Sequence, residues 1–90
     1  MLDIYYQSKF KKDYIKAIKR GCDPKIFNTV LDLLVHQQPL PLKYRDHPLA
    51  GKYHGYRECH IQADWLLIYK VEDKKLLLTL TRTGSHSDLF

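Results

Sequence analysis

Apolar and polar positions along this chain change period several times, and each change marks an expected element. Leu2 to Tyr6 alternates weakly and predicts a short first strand. Phe10, Tyr14, Ala17 and Ile18 then fall at helical spacing, with Lys9, Lys12, Lys16 and Lys19 on the remaining surface, so a helix follows. Ser8 is its expected cap and Gly21 its stop. Asp23-Pro24 opens a second helix with a capping carboxylate and a proline at the first helical position. Ile26, Phe27, Val30, Leu31, Leu33, Leu34 and Val35 give that helix a wide apolar face, and Pro39 and Pro41 end it.

From Leu42 to Gly55 the chain is polar, basic and proline-containing, which predicts a loop with at most a short strand near Leu49. Tyr56 to Ile61 alternates as a strand does, and Gln62-Ala63-Asp64 makes a tight turn. Trp65 to Val71 is continuously apolar, the pattern of a central strand covered on both faces. Glu72 to Lys75 is a second turn, Leu76 to Thr83 the last strand, and Gly84 its break. The order predicts an α+β fold. An N-terminal strand and two helices pack on a mostly antiparallel sheet, in a single domain spanning residues 1–90.

Composition narrows the function. A chain of 90 residues with 44% hydrophobic content can bury one modest core. Fifteen basic against ten acidic residues leave a net charge of +5, which favours a polyanionic partner such as RNA, DNA or an acidic protein. Cys22 and Cys59 form no C-x-x-C pair and are expected to be reduced thiols of a cytoplasmic protein. The start Met1-Leu2-Asp3-Ile4 lacks the pattern of a secretory leader, and no apolar run is long enough to span a bilayer, so no membrane association is expected.

The meander makes a geometric prediction. The end of one strand, the start of the next and the end of the third meet at one sheet edge, which gathers His60, Asp64, Trp65, Arg82 and His86. With the second turn centred on Asp73, Asp64 and Arg82 would face each other across the ladder. These residue types suit cleavage of RNA by its own 2′-hydroxyl. That reaction needs a base at the hydroxyl, an acid at the leaving 5′-oxygen and a cation on the phosphoryl oxygens. Histidine titrates near neutrality, and arginine offers a permanently charged fork for phosphate. Trp65 could stack an unpaired base, and Lys43, Arg45 and Lys52 of the basic loop are candidate substrate contacts.

Each residue alone has a plainer reading. His60 suits a half-buried structural role, Asp64 a turn and Trp65 the core. Arg82, in phase with Leu76, Leu78 and Leu80, would lie along the apolar face of a regular strand. Cys59 and His60 point to opposite faces of a strand, and no pair has zinc-finger spacing, so neither a metal nor a cofactor is expected.

Asp46-His47-Pro48-Leu49, Gly55-Tyr56-Arg57, His60, Asp64-Trp65-Leu66-Leu67-Ile68-Tyr69, Arg82-Thr83-Gly84-Ser85-His86 and Leu89-Phe90 together resemble the motifs of the YafQ branch of the RelE/ParE toxin superfamily. The likeness is specific from Asp46 to Phe90, and the helical half is compatible with it. The resemblance implies a RelE-like fold, similar to small microbial ribonucleases. It also implies the toxin role of a type II toxin–antitoxin system, namely an endoribonuclease that cuts mRNA on the 70S ribosome. The partner implied is an acidic, partly disordered antitoxin of the DinJ/RelB type. Carried over by residue, the active site falls on His47, His60, Asp64, Arg82 and His86, with Trp65 and Phe90 around it. His47 and Phe90 rest on the resemblance alone, and His54 stands where the pattern has a lysine. A ParE-like gyrase poison on the same fold is the alternative, though such a protein would not need this histidine and arginine set. A member that only binds is the other.

Overall fold

A computed structural model describes residues 1–90. Strand β1 (Asp3–Tyr6) leads into helices α1 (Ser8–Lys19) and α2 (Pro24–Val35). Strands β2 (His47–Pro48), β3 (Arg57–Gln62), β4 (Trp65–Glu72) and β5 (Leu77–Gly84) follow, and a single-turn helix α3 (His86–Leu89) ends the chain. The sheet order is β1-β5-β4-β3-β2, with β1 parallel to β5 and every other pair antiparallel. The expected α+β arrangement therefore holds.

Local chemistry explains most boundaries. Asp23 caps α2 by accepting from the Lys25 N–H at 2.9 Å, with Pro24 at the first helical position. At α1 the cap is Gln7, not Ser8, and no side chain bonds there. The Gln7 N–H donates to the Leu80 carbonyl, which keeps that residue extended in the sheet and leaves Ser8 already inside the helix. The chain between α2 and β3 is not featureless: Leu42–Tyr44 and Gly51–Tyr53 form 3₁₀ turns around β2.

The sheet buries both faces. Phe10 and Ala17 of α1 and Phe27, Val30 and Leu34 of α2 cover one face, packing on Cys59, Ile61, Trp65, Leu67, Tyr69, Leu78 and Leu80. The other face is covered without a long helix: Leu66 and Ile68 lie under Leu89, Leu49, Tyr53 and Tyr56. Trp65 to Tyr69 are consequently all buried, as the unbroken apolar run predicts, and each large apolar side chain so placed contributes roughly 1.5–3 kcal/mol.

Two irregularities decide what the second face carries. The turn after β4 is longer than expected: Leu76 adopts a left-handed conformation (φ 50°), and β5 begins at Leu77. The ladder then pairs Ile68 with Arg82 but Tyr69 with Leu80, so Thr81 is a bulge. Beyond the bulge the alternation inverts. Arg82 leaves the face of Leu78 and Leu80 and shares that of Ile68, which corrects the expectation that it lies along the apolar face under the helices.

Gly84 closes β5 rather than breaking it before its end, and Ser85 starts α3, which sequence reasoning missed. The Ser85 hydroxyl accepts from the Asp88 N–H while the Asp88 carboxylate accepts from the Ser85 N–H, a capping box. The S-x-x-D spacing was its signal.

Candidate active site

Cross-strand partners share a face, so Glu58 and His60 of β3, opposite Ile68 and Leu66, stand beside Arg82 on the sheet face away from α1 and α2. Three imidazoles gather there. His60 lies between His47 and His86, with ring centroids at 6.5 and 5.8 Å, and Phe90 approaches His86 at 6.4 Å.

His47 is set by its own loop. Its Nδ1 lies 2.7 Å from the Arg45 carbonyl, which can only accept, so Nδ1 carries the hydrogen and Nε2 faces the site. His86 is set by Asp64, which accepts from the His86 N–H at 3.0 Å and from Nδ1 at 3.2 Å. Those bonds, the backbone one first, hold the Asp64 carboxylate below its ordinary pKa. They also leave His86 Nε2 free for proton transfer.

The structure therefore corrects one pairing. Asp64 faces His86 rather than Arg82, because the longer turn and the Thr81 bulge move its partner along β5.

The partner of Arg82 is Asp13 of α1. Its Nε and Nη2 donate to the two carboxylate oxygens at 2.7 and 3.2 Å, and Asp13 also accepts from the Thr83 N–H. Asp13 bonding first, then its charge, raises the Arg82 pKa, with Tyr53 adding to it. Nη1 makes no bond to Asp13.

Glu58 stands in the middle of this cluster, and sequence reasoning missed it. Its Oε1 lies 3.5 Å from His47 Nε2 and 3.7 Å from His60 Nε2, its side chain is 5% exposed, and its Oε2 is buried without a partner. Two-residue spacing from His60 was the available signal. Glu58 thus adds a second acid to Asp64 at this edge. The potential ligand atoms of Glu58, His60 and His86 lie within 4.8 Å of one another, a set that could hold a metal ion although no sequence spacing announced it.

Trp65 is a second correction. It is 2% exposed, stacks on Phe27 at 6.0 Å and donates its Nε1–H to the Thr83 hydroxyl at 2.9 Å. It belongs to the core and cannot stack a base. Phe90, 64% exposed and edge-on to Tyr53, is free to do so. Lys52 stands over the Tyr53 ring on this same side, whereas Lys43 and Arg45 lie on the first 3₁₀ turn, across His60 from it.

Three histidines, a buried carboxylate and an arginine gathered on one side of the sheet have the chemistry for acid–base work on a phosphodiester. Residues 2–90 match the family described as the bacterial toxin of type II toxin–antitoxin system, YafQ. The mRNA interferase toxin YafQ of Escherichia coli K12 is 45% identical over 89 residues, covering 98% of this chain and 95% of that protein. A metal-bound toxin from Helicobacter pylori is similar at 44% identity and a TM-score of 0.93, with both chains covered fully. The toxin of the E. coli DinJ–YafQ complex is similar at 44% and 0.90, covering 100% of this chain and 99% of that one. The chain belongs to the YafQ family of type II toxins.

Proposed function

We propose that this protein is the toxin of a type II toxin–antitoxin pair and an endoribonuclease that cuts mRNA on the ribosome, by attack of the substrate's own 2′-hydroxyl. The observation that carries the reading is the convergence of His47, His60 and His86 on the buried Glu58, with Arg82 across β4 on the same sheet face. The E. coli relative's name as an mRNA interferase supports the substrate.

His60 is the base. Glu58 beside its Nε2 stabilises the imidazolium that forms when the proton leaves the 2′-oxygen. That oxygen attacks phosphorus, the bond to the 5′-oxygen breaks, and His86 delivers a proton to the leaving oxygen from Nε2. Asp64 holds the His86 ring. Arg82 and His47 stabilise charge on the phosphoryl oxygens, Lys52 attracts the backbone, and Phe90 stacks a base. The products are a 2′,3′-cyclic phosphate and a 5′-hydroxyl, and every proton and charge is handled by protein groups without a metal. The ribosome supplies part of the alignment, so free RNA is cut poorly.

An acidic, partly disordered antitoxin of the DinJ type neutralises the protein. The +5 charge and the DinJ–YafQ assembly of the similar E. coli toxin support that partner. The setting is the cytoplasm; no helix is long and apolar enough to cross a membrane. The deciding experiment is cleavage of a message on programmed ribosomes, with and without 2′-deoxyribose at the cut site. Cleavage of the ribose message alone is expected, and normal cleavage of the deoxy message would refute the mechanism. DNA damage on expression with intact transcripts would instead indicate a gyrase poison.

A further inference from the structure

Beside the histidine cluster, at the open edge of β3, the surface sinks into a cavity of about 640 Å³. Its origin is the shortness of β2, which pairs with β3 only through His47 and Pro48. Beyond Glu58 that side of β3 has no strand partner, and α2 and the Leu42–Tyr44 turn form the other walls.

The lining is chemically mixed. Ile26 and Ile61 are apolar, Thr29 and Gln62 carry hydrogen-bonding groups, and Lys43 and Arg45 are exposed cations. His60 is among the lining residues at the edge of β3, with its imidazole on the sheet face opposite α2, so the cavity reaches the reacting groups around that edge. Arg45 is held in a left-handed conformation (φ 47°), unfavourable for a side chain of its type, and its carbonyl is the group that orients His47. The same residue thus joins the cavity to the catalytic histidines.

An unstacked nucleotide has matching chemistry: an apolar π-face, an edge of donors and acceptors, and an anionic phosphate. The space exceeds that of a water-filled crevice and suits one nucleotide. We propose that this cavity is the subsite for a nucleotide next to the scissile phosphate. Its base rests against Ile26, its edge faces Gln62, and its phosphate meets Lys43 and Arg45. Base preference beside the cut is then read here, since the histidine cluster contacts only the phosphodiester and the 2′-hydroxyl. The inference rests on the ribonuclease reading and adds a site to it.

Two substitutions test it, both outside the reacting groups. Thr29→Trp fills the cavity from an exposed position of α2, where the native hydroxyl bonds only to the Lys25 carbonyl of its own helix. Gln62→Ala, at an exposed position, removes the edge contact. Steady-state cleavage of programmed ribosomes, with cut positions mapped by primer extension over a message of varied sequence, reads KM, kcat and base preference separately. Thr29→Trp is expected to raise KM by about tenfold or more, the scale of one stacked base, with kcat within about twofold of wild type. Gln62→Ala is expected to flatten the base preference at one position flanking the cut. Wild-type KM and an unchanged distribution in both variants would overturn the proposal, as would a kcat loss at constant KM and preference. Should Thr29→Trp lose its cooperative melting transition, the Gln62→Ala distribution decides alone. A wild-type protein that cuts no message would overturn the ribonuclease reading itself, a result distinct from cleavage by wild type and variants alike.

Discussion

Helix α3 carries His86 and Phe90 but has only four residues, so something other than its own ladder must hold it. Asp88 is that element. Its carboxylate accepts from the Ser85 N–H at 3.0 Å and from Arg20 of α1 at 2.6 and 3.3 Å, with Lys16 at 3.5 Å. Asp88→Ala removes all of these at once, while Leu89 still anchors the turn in the second core cluster. Losing the carboxylate half of the capping box costs up to about 1 kcal/mol, with the Ser85 hydroxyl bond retained, and the lost Arg20 contacts add to it. For a domain of this size each 1 kcal/mol lowers Tm by about 4–8 °C when it acts on global unfolding. Here the loss falls on a terminal turn that opens locally, so Tm should move less than that. Activity should move more. Each 1.4 kcal/mol taken from the competent arrangement of α3 removes a tenfold share of it, and a loss of about tenfold in cleavage is expected. Arg20→Ala should reproduce part of the loss, and combining the two should add little to Asp88→Ala alone, because both act through one contact. Ribosome cleavage and thermal melting of the three variants give the answer. Wild-type turnover by Asp88→Ala, or multiplying losses in the double variant, would refute the clamp.

His86→Ala should lose about 10²–10⁴-fold in cleavage with unchanged melting, since a proton donor goes but an exposed side chain adds little to the core; a wild-type rate excludes the acid role. Glu58→Gln should lower activity with little loss of stability, and its pH–rate profile should shift, because the carboxylate beside two Nε2 atoms is neutralised; a coincident profile argues for a purely structural carboxylate. Zinc should inhibit cleavage reversibly by taking the lone pairs of His60 and His86, with recovery on chelation, because the ligand atoms of Glu58, His60 and His86 lie within 4.8 Å of one another; insensitivity at saturating metal speaks against it. Asp64 and Asp88 titrate below the ordinary carboxylate range when folded, so the unfolded chain takes up their protons first as pH falls. Their stabilisation is complete above that range and is lost as pH drops through it. Melting followed from about pH 6 to 3 should show a shallower decline in Asp88→Asn.

The elements were legible in the sequence wherever period and punctuation agree, as at Asp23-Pro24 and the apolar run of β4. What escaped depended on one or two residues of register. The Thr81 bulge leaves no signature in a Leu-Thr-Leu-Thr alternation, yet it carries Arg82 from one face of the sheet to the other. The third strand's pattern identified His60 but not Glu58, since a buried acid next to histidines is recognisable only once the loop places His47 against it. Asp13 was hidden for a related reason. It is separated from Arg82 by most of the chain, and a lone aspartate on a lysine-rich helix reads as surface. Trp65 erred the other way: its place beside Asp64 drew it to the site, while its strand phase put its ring against Phe27.

The site and the fold meet on α1. Asp13 and Arg20 are seven residues apart and so lie on one helical face. The first fixes Arg82 and the second fixes the helix that bears His86. Beyond Tyr6 the strand β1 no longer covers β5, which leaves the edge open where Thr83 donates to Asp13 and where α3 turns away. An additional strand turn in β1 would satisfy that edge by backbone pairing and would exclude Asp13 from Arg82. The short first strand is therefore a condition of the Asp13–Arg82 arrangement. By ending at Tyr6 it lets one face of α1 reach Arg82 and the helix that bears His86 from behind.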